Sequence, residues 1–566
     1  MTRSRHPTND DRTSRIGRRA FLTGLGALGA ASLGAKTVRG GVETETRPSR
    51  SQSSESPFPG TDELEAYVDE VMADRIGTTT PGAIVAIVKG DTPILTGGYG
   101  SMNVDTGNSV SADEAVFRIG SVGKLVTFTA VMQGVERGIL DLDTDVNTYL
   151  EDSAVTVPDT YENPVTLRHL GTHTAGFEST LDPDIVTDRD DIDALEAVLA
   201  SQQRSRIRPP GERVGYSNYG AALAGHIVAE AHDTSFEEYV QSEIFEPLGM
   251  THSTFAQPVP DDQPGNLASP HSRDGESFTV VDDVYINMRS AGSMSATATD
   301  MASFMSAHLG AGAVGDSRIL DAETAETMHD RHHIRHPAVT NWRYGFYEYG
   351  DPSAGLIAHS GATINFASQL LLAPVHDVGI FVGYNSNPSE PPAAVVDEIV
   401  AQYDLQPAPS PPSPTQRPGG QERAKRAAGE YSVTYLPQHG PLQVADLLEH
   451  VTVKPAADGG LRTTTLDGDR RQWVETEPYV YEEVGGHDTL AFEVRHGDVT
   501  VMNMSSEQTG VYKPVSPHDK QHVTGAVLGT SLAGFTLSLV GRGGNIAKNR
   551  MTKWRCEDNL ITEESE

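Results

Sequence analysis

The chain has 566 residues, more than one ordinary hydrophobic core accommodates, so two folded domains with tails are expected. Asp and Glu number 78 against 43 Lys and Arg, and the resulting formal net charge of -35 repels nucleic-acid phosphates and argues against a DNA or RNA partner. The only cysteine, Cys556, excludes an internal disulfide, a cysteine-based metal site and a cysteine nucleophile. The acids are spread along the chain rather than blocked, as on the surface of a halophile's protein.

Residues 1–40 contain "RIGRRAFLTGLGALGAASLGA", with Arg18-Arg19 followed by Phe21-Leu22 and a mild apolar run ending in small residues near Ala35. This resembles a twin-arginine export signal, and no cysteine follows it to carry a lipid anchor; the expected location is extracellular or at the cell surface. Residues 41–60 read as a polar, Ser/Pro-rich disordered spacer. "TDELEAYVDEVMADR" then has helical spacing behind a Thr61 cap, and "GAIVAIVKGDTPILTGGYG" reads as strand, turn and strand. Mixed elements continue to the buried-strand pattern "DVGIFVGYNSN" and a closing helix "AAVVDEIVAQY". The pattern over residues 61–405 predicts an α+β domain whose first and last strands share one sheet. Residues 406–425 are Pro-rich and read as a stiff linker. Over 426–515, short runs rich in Val, Thr, Tyr and Phe predict a small antiparallel barrel or sandwich. In the last stretch, 516–566, the uncharged run 523–540 is long enough to span a bilayer yet rich in Gly, Ser and Thr; a weak membrane helix and a peripheral element of the barrel both fit.

Within the first domain, "FRIGSVGKLVTFTAVMQGVERGIL" places Ser121 and Lys124 three apart where a helix begins. A serine hydroxyl needs a base to become a nucleophile, and a lysine one helical turn on supplies it; a Ser cap followed by a surface Lys is the plainer alternative. Further segments weigh against that alternative. In "PPGERVGYSNYGAALAGHIVAEA", Tyr216 and Asn218 sit on a turn ahead of an apolar helix, offering a phenol to carry protons and an amide to orient substrate. In "AHSGATINFASQLLLAP", His359 and Gly361 lead into a strand, where the N–H groups of Ala362 and Ser121 can form an oxyanion hole. "AGSMSATATDMASFM" adds small residues before a helix capped near Thr299 or Asp300.

The order Ser-x-x-Lys, Tyr-x-Asn, His-x-Gly resembles the serine β-lactamase-related family, which holds class C β-lactamases, D-alanyl-D-alanine carboxypeptidases, D-aminopeptidases and esterases. "TLRHLGTHTAGF" from Thr166, "EEYVQSEIFEPLGMTHSTF" from Glu237 and "YGFYEYG" from Tyr344 fit it too, over about Thr61 to Tyr403. The resemblance implies a β-lactamase/transpeptidase-like α+β domain, an antiparallel sheet with a helical subdomain, and no metal or organic cofactor. It implies that Ser121 forms an acyl-enzyme and that Lys124 and Tyr216 share the role of base, with the lysine cation holding down the phenol's pKa. Asn218, His359, Gly361 and Ala362 would then contact substrate. His359 stands where most β-lactamases and carboxypeptidases carry a lysine, as in the esterase and aminopeptidase branch; a histidine only partly charged near neutral pH is a weak anchor for a carboxylate. The barrel resembles the lipocalin-like domain of some family members, which can cover the active site or mediate oligomer contacts, and the acidic composition suggests a haloarchaeal source.

The expected function is therefore an exported serine hydrolase for small esters, amides or D-residue peptides, with a small-molecule or peptide substrate as its partner and a weak membrane association through 523–540. β-Lactamase or carboxypeptidase activity is the alternative; a non-catalytic scaffold using the barrel is one of a different class. "HDRHHIRHP" reads as a polar surface segment near the cleft, because Arg331 and Arg335 interleave its histidines. "DLDTDVNTYLED" lacks the sixth-position glycine of a calcium loop, having Val146 there. His169 and His173 are expected to be structural.

Overall fold

The structure is a computed structural model, and it describes Phe58 and residues 60–516 apart from 180–184, 261–262, 264, 408–416, 436–449, 466–467 and 487. The twin-arginine segment, nearly all of the spacer, the run 523–540 and Cys556 lie outside the described residues.

Helix α1 (Thr61–Ala73) buries Leu64, Val68, Val71 and Met72 along one stripe; its cap is Gly60, and Thr61 is the first helical residue rather than the cap expected. Strand β1 (Gly82–Lys89) follows, then β2 (Thr92–Asn103) and the short β3 (Asn108–Ser109). A single 3-10 turn over Gly120–Gly123 runs into α2 (Lys124–Glu136), whose residues from Lys124 to Gly134 are all buried, which makes it the central helix of the domain. Around it come α3 (Asn218–His232) and α4 (Ala298–Leu309). The side chain of Thr297 accepts a hydrogen bond from the Asp300 N–H, so the α4 cap sits slightly ahead of the Thr299 or Asp300 expected. The chain then returns as β4 (Tyr347–Glu348), β5 (Ile357–Ala362), β6 (Ala367–Ala373), β7 (Val378–Tyr384) and α5 (Ala393–Gln402).

The main sheet has the order β4-β5-β6-β7-β1-β2-β3. Strands β1 and β7 pair antiparallel with Ile84 opposite Gly383, so the first and last strands of the domain do share one sheet. Period-two alternation explains why β1 is apolar throughout. Ile84, Ala86 and Val88 face the core built on α2, α3 and α4, whereas Val85 and Ile87 face the core that contains Leu64, Val68, Val395 and Ile399 of α1 and α5.

Helix α6 (Gly420–Ala427) occupies the end of the stretch read as linker, and buries Ala424 and Ala427 against the second domain. That domain is a closed antiparallel barrel of eight strands: β8 (Gly429–Val433), β9 (Val451–Pro455), β10 (Leu461–Thr464), β11 (Arg470–Glu477), β12 (Val480–Glu483), β13 (Thr489–Arg495), β14 (Asp498–Met504) and β15 (Tyr512–Pro514). Pairing of β8 with β15, Tyr431 opposite Pro514, closes it and leaves no open edge. Trp473, Tyr481 and Phe492 fill its centre. The histidine-rich segment is surface only in part: Arg331, Ile334 and Pro337 are exposed, whereas Arg335 is buried and, just beyond the segment, Val339 packs on Val480 and Ala491 of the barrel. It is the seam between the domains.

Candidate active site

The turn that carries Ser121 is pressed against the end of β5. Gly120 has φ +54, and a Cβ there would lie 2.7 Å from the Ala362 nitrogen, so only glycine permits the approach. From the other side, a Cβ on Gly361 would lie 2.0 Å from the Ile119 carbonyl oxygen, which also accepts a hydrogen bond from Ser368 Oγ at 2.7 Å. The close contact brings the backbones of Ser121 and Ala362 together at one edge of the cleft.

Lys124, the first residue of α2, is fully buried. Its Nζ donates to Ser121 Oγ at 2.8 Å, to Asn218 Oδ1 at 2.9 Å and to the Ala291 carbonyl oxygen. Asn218 reaches the lysine because it opens α3, capped by Ser217, whose hydroxyl accepts the Gly220 N–H at 3.0 Å. The Ser217 N–H in turn donates to His173 Nδ1 at 3.2 Å, and the His173 ring lies 4.3 Å from that of Tyr216. His173 thus braces the Tyr216 turn from below.

The Tyr216 phenol stands beside the Ser121 side chain, and Lys124 Nζ is 5.0 Å from the ring centroid. Burial pushes the phenol above its ordinary range, and the nearby Ser121 side chain offsets only part of that. The expectation of a phenol held down by the lysine is therefore overturned: Tyr216 stays protonated at neutral pH.

His359 is 1% exposed, and its Nδ1–H donates to the Ser360 carbonyl oxygen at 2.6 Å, which fixes the tautomer and leaves Nε2 as an acceptor. Nε2 has no partner among the described residues. Burial, and then the neighbouring Lys124 charge, lower its pKa to about 3. The ring is not partly charged near neutrality, as the residue type alone suggests, but neutral. The cleft beside it is lined by Tyr216, Trp342, Tyr347 and Tyr349, by Gly361 and Ala362, and on its far side by Pro391 and Pro392. No Lys or Arg is among the described residues that line it.

All seven residues singled out in the sequence, Ser121, Lys124, Tyr216, Asn218, His359, Gly361 and Ala362, come together here. The profile of a family described as "Beta-lactamase" matches residues 64–405. The chain belongs to the beta-lactamase family. A "Penicillin-binding protein 4" of Amycolatopsis lactamdurans is 30% identical over 311 residues, covering 52% of this chain and 78% of that one. A "Protein flp" of Staphylococcus aureus strain MRSA252 is 27% identical over 325 residues, covering 56% of this chain and only 61% of its own length. Among solved structures, an octameric penicillin-binding protein homologue from Pyrococcus abyssi aligns with a TM-score of 0.51 and 22% identity, covering 80% of this chain and 99% of that one. SurE aligns with a TM-score of 0.57 and 20% identity over the same shares. At these identities the two structures speak for the fold alone.

Two parts of this beta-lactamase-family site had no signal in the sequence. The Ala291 carbonyl is a backbone group, so any residue type could supply it. The other part comes from the barrel: Ser506, Gln508 and Thr509 form a wall of the same cleft. "SSEQTG" has the composition of any turn, and nothing in it points across to Tyr216.

Proposed function

We propose that the chain is a serine hydrolase that forms an acyl-enzyme through Ser121 on small esters, amides or peptides containing a D-residue. The observation that carries this reading is the Lys124 nitrogen held between Ser121 Oγ, Asn218 Oδ1 and the Ala291 oxygen. The latter two oxygens only accept, so when the lysine acts as base and gives up the N–H that points at Ser121 Oγ, its two remaining N–H groups stay on them and the lone pair faces the Ser121 O–H. That is how a buried amine serves as a base for a hydroxyl nucleophile.

In this mechanism Ser121 Oγ attacks the substrate carbonyl as its proton passes to Lys124. The N–H groups of Ser121 and Ala362 hold the oxyanion. Tyr216, kept protonated by burial, gives its proton to the departing alcohol or amine and is reprotonated from the Lys124 ammonium. Water then attacks the acyl-enzyme by the reverse route and frees Ser121. The neutral His359 leaves a substrate carboxylate without a cation at that position, and Lys124 is already engaged by Ser121 Oγ, Asn218 Oδ1 and the Ala291 oxygen. This supports ester, amide or amine-bearing substrates over β-lactams and D-alanyl-D-alanine peptides.

The test is intact-mass labelling with a fluorophosphonate in high salt, comparing wild type with Ser121→Ala, with p-nitrophenyl esters, a D-alanyl amide and a β-lactam as competitors. An adduct on wild type alone, displaced best by the ester or amide, is the expected result. A folded wild type that stays unlabelled removes the reading. Export is proposed from Arg18-Arg19 with Phe21-Leu22 and the apolar run behind them, and replacing both arginines with lysine is expected to retain the protein in the cytoplasm on fractionation.

A further inference from the structure

The segment from Ser505 to Gly510 joins β14 to β15, and its carbonyl oxygens are turned outward to the first domain. Thr340 Oγ1 donates to the Ser505 oxygen at 2.7 Å, and Trp342 Nε1 to that of Gln508 at 2.9 Å. Arg335 Nη1 donates to the oxygens of Glu507 and Gly510, the second at 3.2 Å. The remaining contact reaches the catalytic constellation itself: the Tyr216 N–H donates to the Thr509 oxygen at 2.7 Å, beside a β-bridge between Gly215 and Gly510. Only the Ser506 carbonyl lacks such a donor among the described residues. Among its side chains, Ser506 is tied to Asp488 of the barrel and Thr509 to Glu507 within the segment.

Arg335 is the keystone of this arrangement. It is 6% exposed, and its remaining N–H groups go to the Thr340 oxygen at 2.9 and 2.7 Å and to Thr340 Oγ1 at 2.8 Å. One guanidinium thus orients Thr340 and grips two carbonyls on either side of Thr509. A buried carbonyl stripped of its donor is costly enough that the segment must move when the guanidinium goes. Movement of Thr509 is passed to Tyr216 through a backbone bond.

We propose that Arg335 is a positioning residue for the proton-transfer tyrosine, acting through the barrel segment 505–510, so that the barrel completes the hydrolase site. The proposal rests on the reading of Ser121, Lys124 and Tyr216 given above. It assigns the barrel a part in the chemical step, since the Tyr216 backbone is anchored from the barrel side. It also assigns a purpose to the histidine-rich segment, which presents Arg335 to the seam.

The test uses the full chain with Arg335→Ala, Arg335→Lys and Thr340→Val, the last a near-isosteric change that removes the donor to Ser505. Three quantities are read: the rate of Ser121 acylation by p-nitrophenyl acetate with its pH profile, the split between kcat and KM, and hydrogen exchange at the Tyr216 amide. Arg335→Ala is expected to slow acylation about 10- to 100-fold, mostly in kcat, the scale of an active-site group displaced by about 1 Å. The Tyr216 amide exchanges faster in the same variant, Thr340→Val shows a smaller change in the same direction, and Arg335→Lys recovers part of the rate. Faster exchange with unchanged acylation and pH profile makes the contact a tether only and overturns the proposal, as does no change in either. If Arg335→Ala does not fold, Thr340→Val decides on the same criteria. A wild type without Ser121 acylation overturns the hydrolase reading and this proposal with it, whereas a defect confined to the variants leaves the hydrolase reading intact.

Discussion

Gly361→Ala tests how closely the nucleophile's distance from the sheet is set. The added Cβ would lie 2.0 Å from the Ile119 oxygen and 2.4 Å from Ser368 Oγ, against an ordinary contact of 3.4–4 Å. Either β5 or the Ser121 turn must therefore retreat by more than 1 Å, and the bond from Ser368 Oγ to Ile119 O, 2.7 Å long, is strained in the process. Ser121 is two residues from Ile119 and Ala362 is one from Gly361, so the shift falls directly between nucleophile and oxyanion donor. A misplacement of that size lowers the rate about 100-fold, while overpacking costs about 1–3 kcal/mol of stability. The assay is the second-order rate constant for fluorophosphonate labelling of folded protein, with thermal melting in parallel. Gly60→Ala is the control, because a Cβ there meets nothing within 4 Å. Labelling of a folded Gly361→Ala within threefold of wild type would refute the idea that this glycine sets the approach.

Two predictions concern pH. Burial lowers His169, His308 and His333 to about 4 and His359 to about 3, so between there and their ordinary 6.5 the unfolded chain binds protons that the native one refuses. Stability therefore rises with pH across that window, each histidine withdrawing about 3 kcal/mol at pH 4, which together exceeds the margin of most domains; the buried Trp342 and Trp473 should report cooperative unfolding between pH 6.5 and 4, and an unchanged melting temperature at pH 4 would contradict it. Asp397 has the opposite sign: burial lifts its pKa to about 7, so native protein holds a proton that the unfolded chain loses, and stability falls as pH rises from 3.8 to 7. Asp397→Asn keeps an oxygen for the Tyr349 hydroxyl, bonded at 2.6 Å, and is expected to stabilise by about 3–4 kcal/mol at pH 8 and by nothing at pH 4, in urea titrations at each pH.

The parts of this molecule that could be read from sequence are those where a side chain type is demanded. Ser121, Lys124, Tyr216 and Asn218 are the side chains that the proposed chemistry needs, and Gly361 is required by a contact that a Cβ would not survive; Gly120, whose φ of +54 and approach to Ala362 require glycine equally, was not singled out. The period of β1 and β7 disclosed the buried strands, and turn spacing disclosed the barrel. Protonation was misjudged, because a pKa is set by surroundings: Tyr216 and His359 both moved away from the charged state on burial. The seam was missed because it is made of carbonyls. A carbonyl oxygen at Thr509 or Ala291 leaves no mark on composition, and the Arg335 that meets such groups looks like any solvated charge.

The antiparallel pairing of Ile84 with Gly383 also governs how the molecule is made. During synthesis β1 waits, apolar on both faces and with one edge unpaired, until nearly the whole first domain has left the ribosome. Contacts between segments so distant in the chain form slowly, and an exposed apolar strand is a site for aggregation in the meantime. The same delay postpones the meeting of Ser121 with Ala362, and the barrel segment that seats Tyr216 is translated later still. The cluster that the proposed chemistry needs is therefore assembled as one of the last events in the birth of the protein.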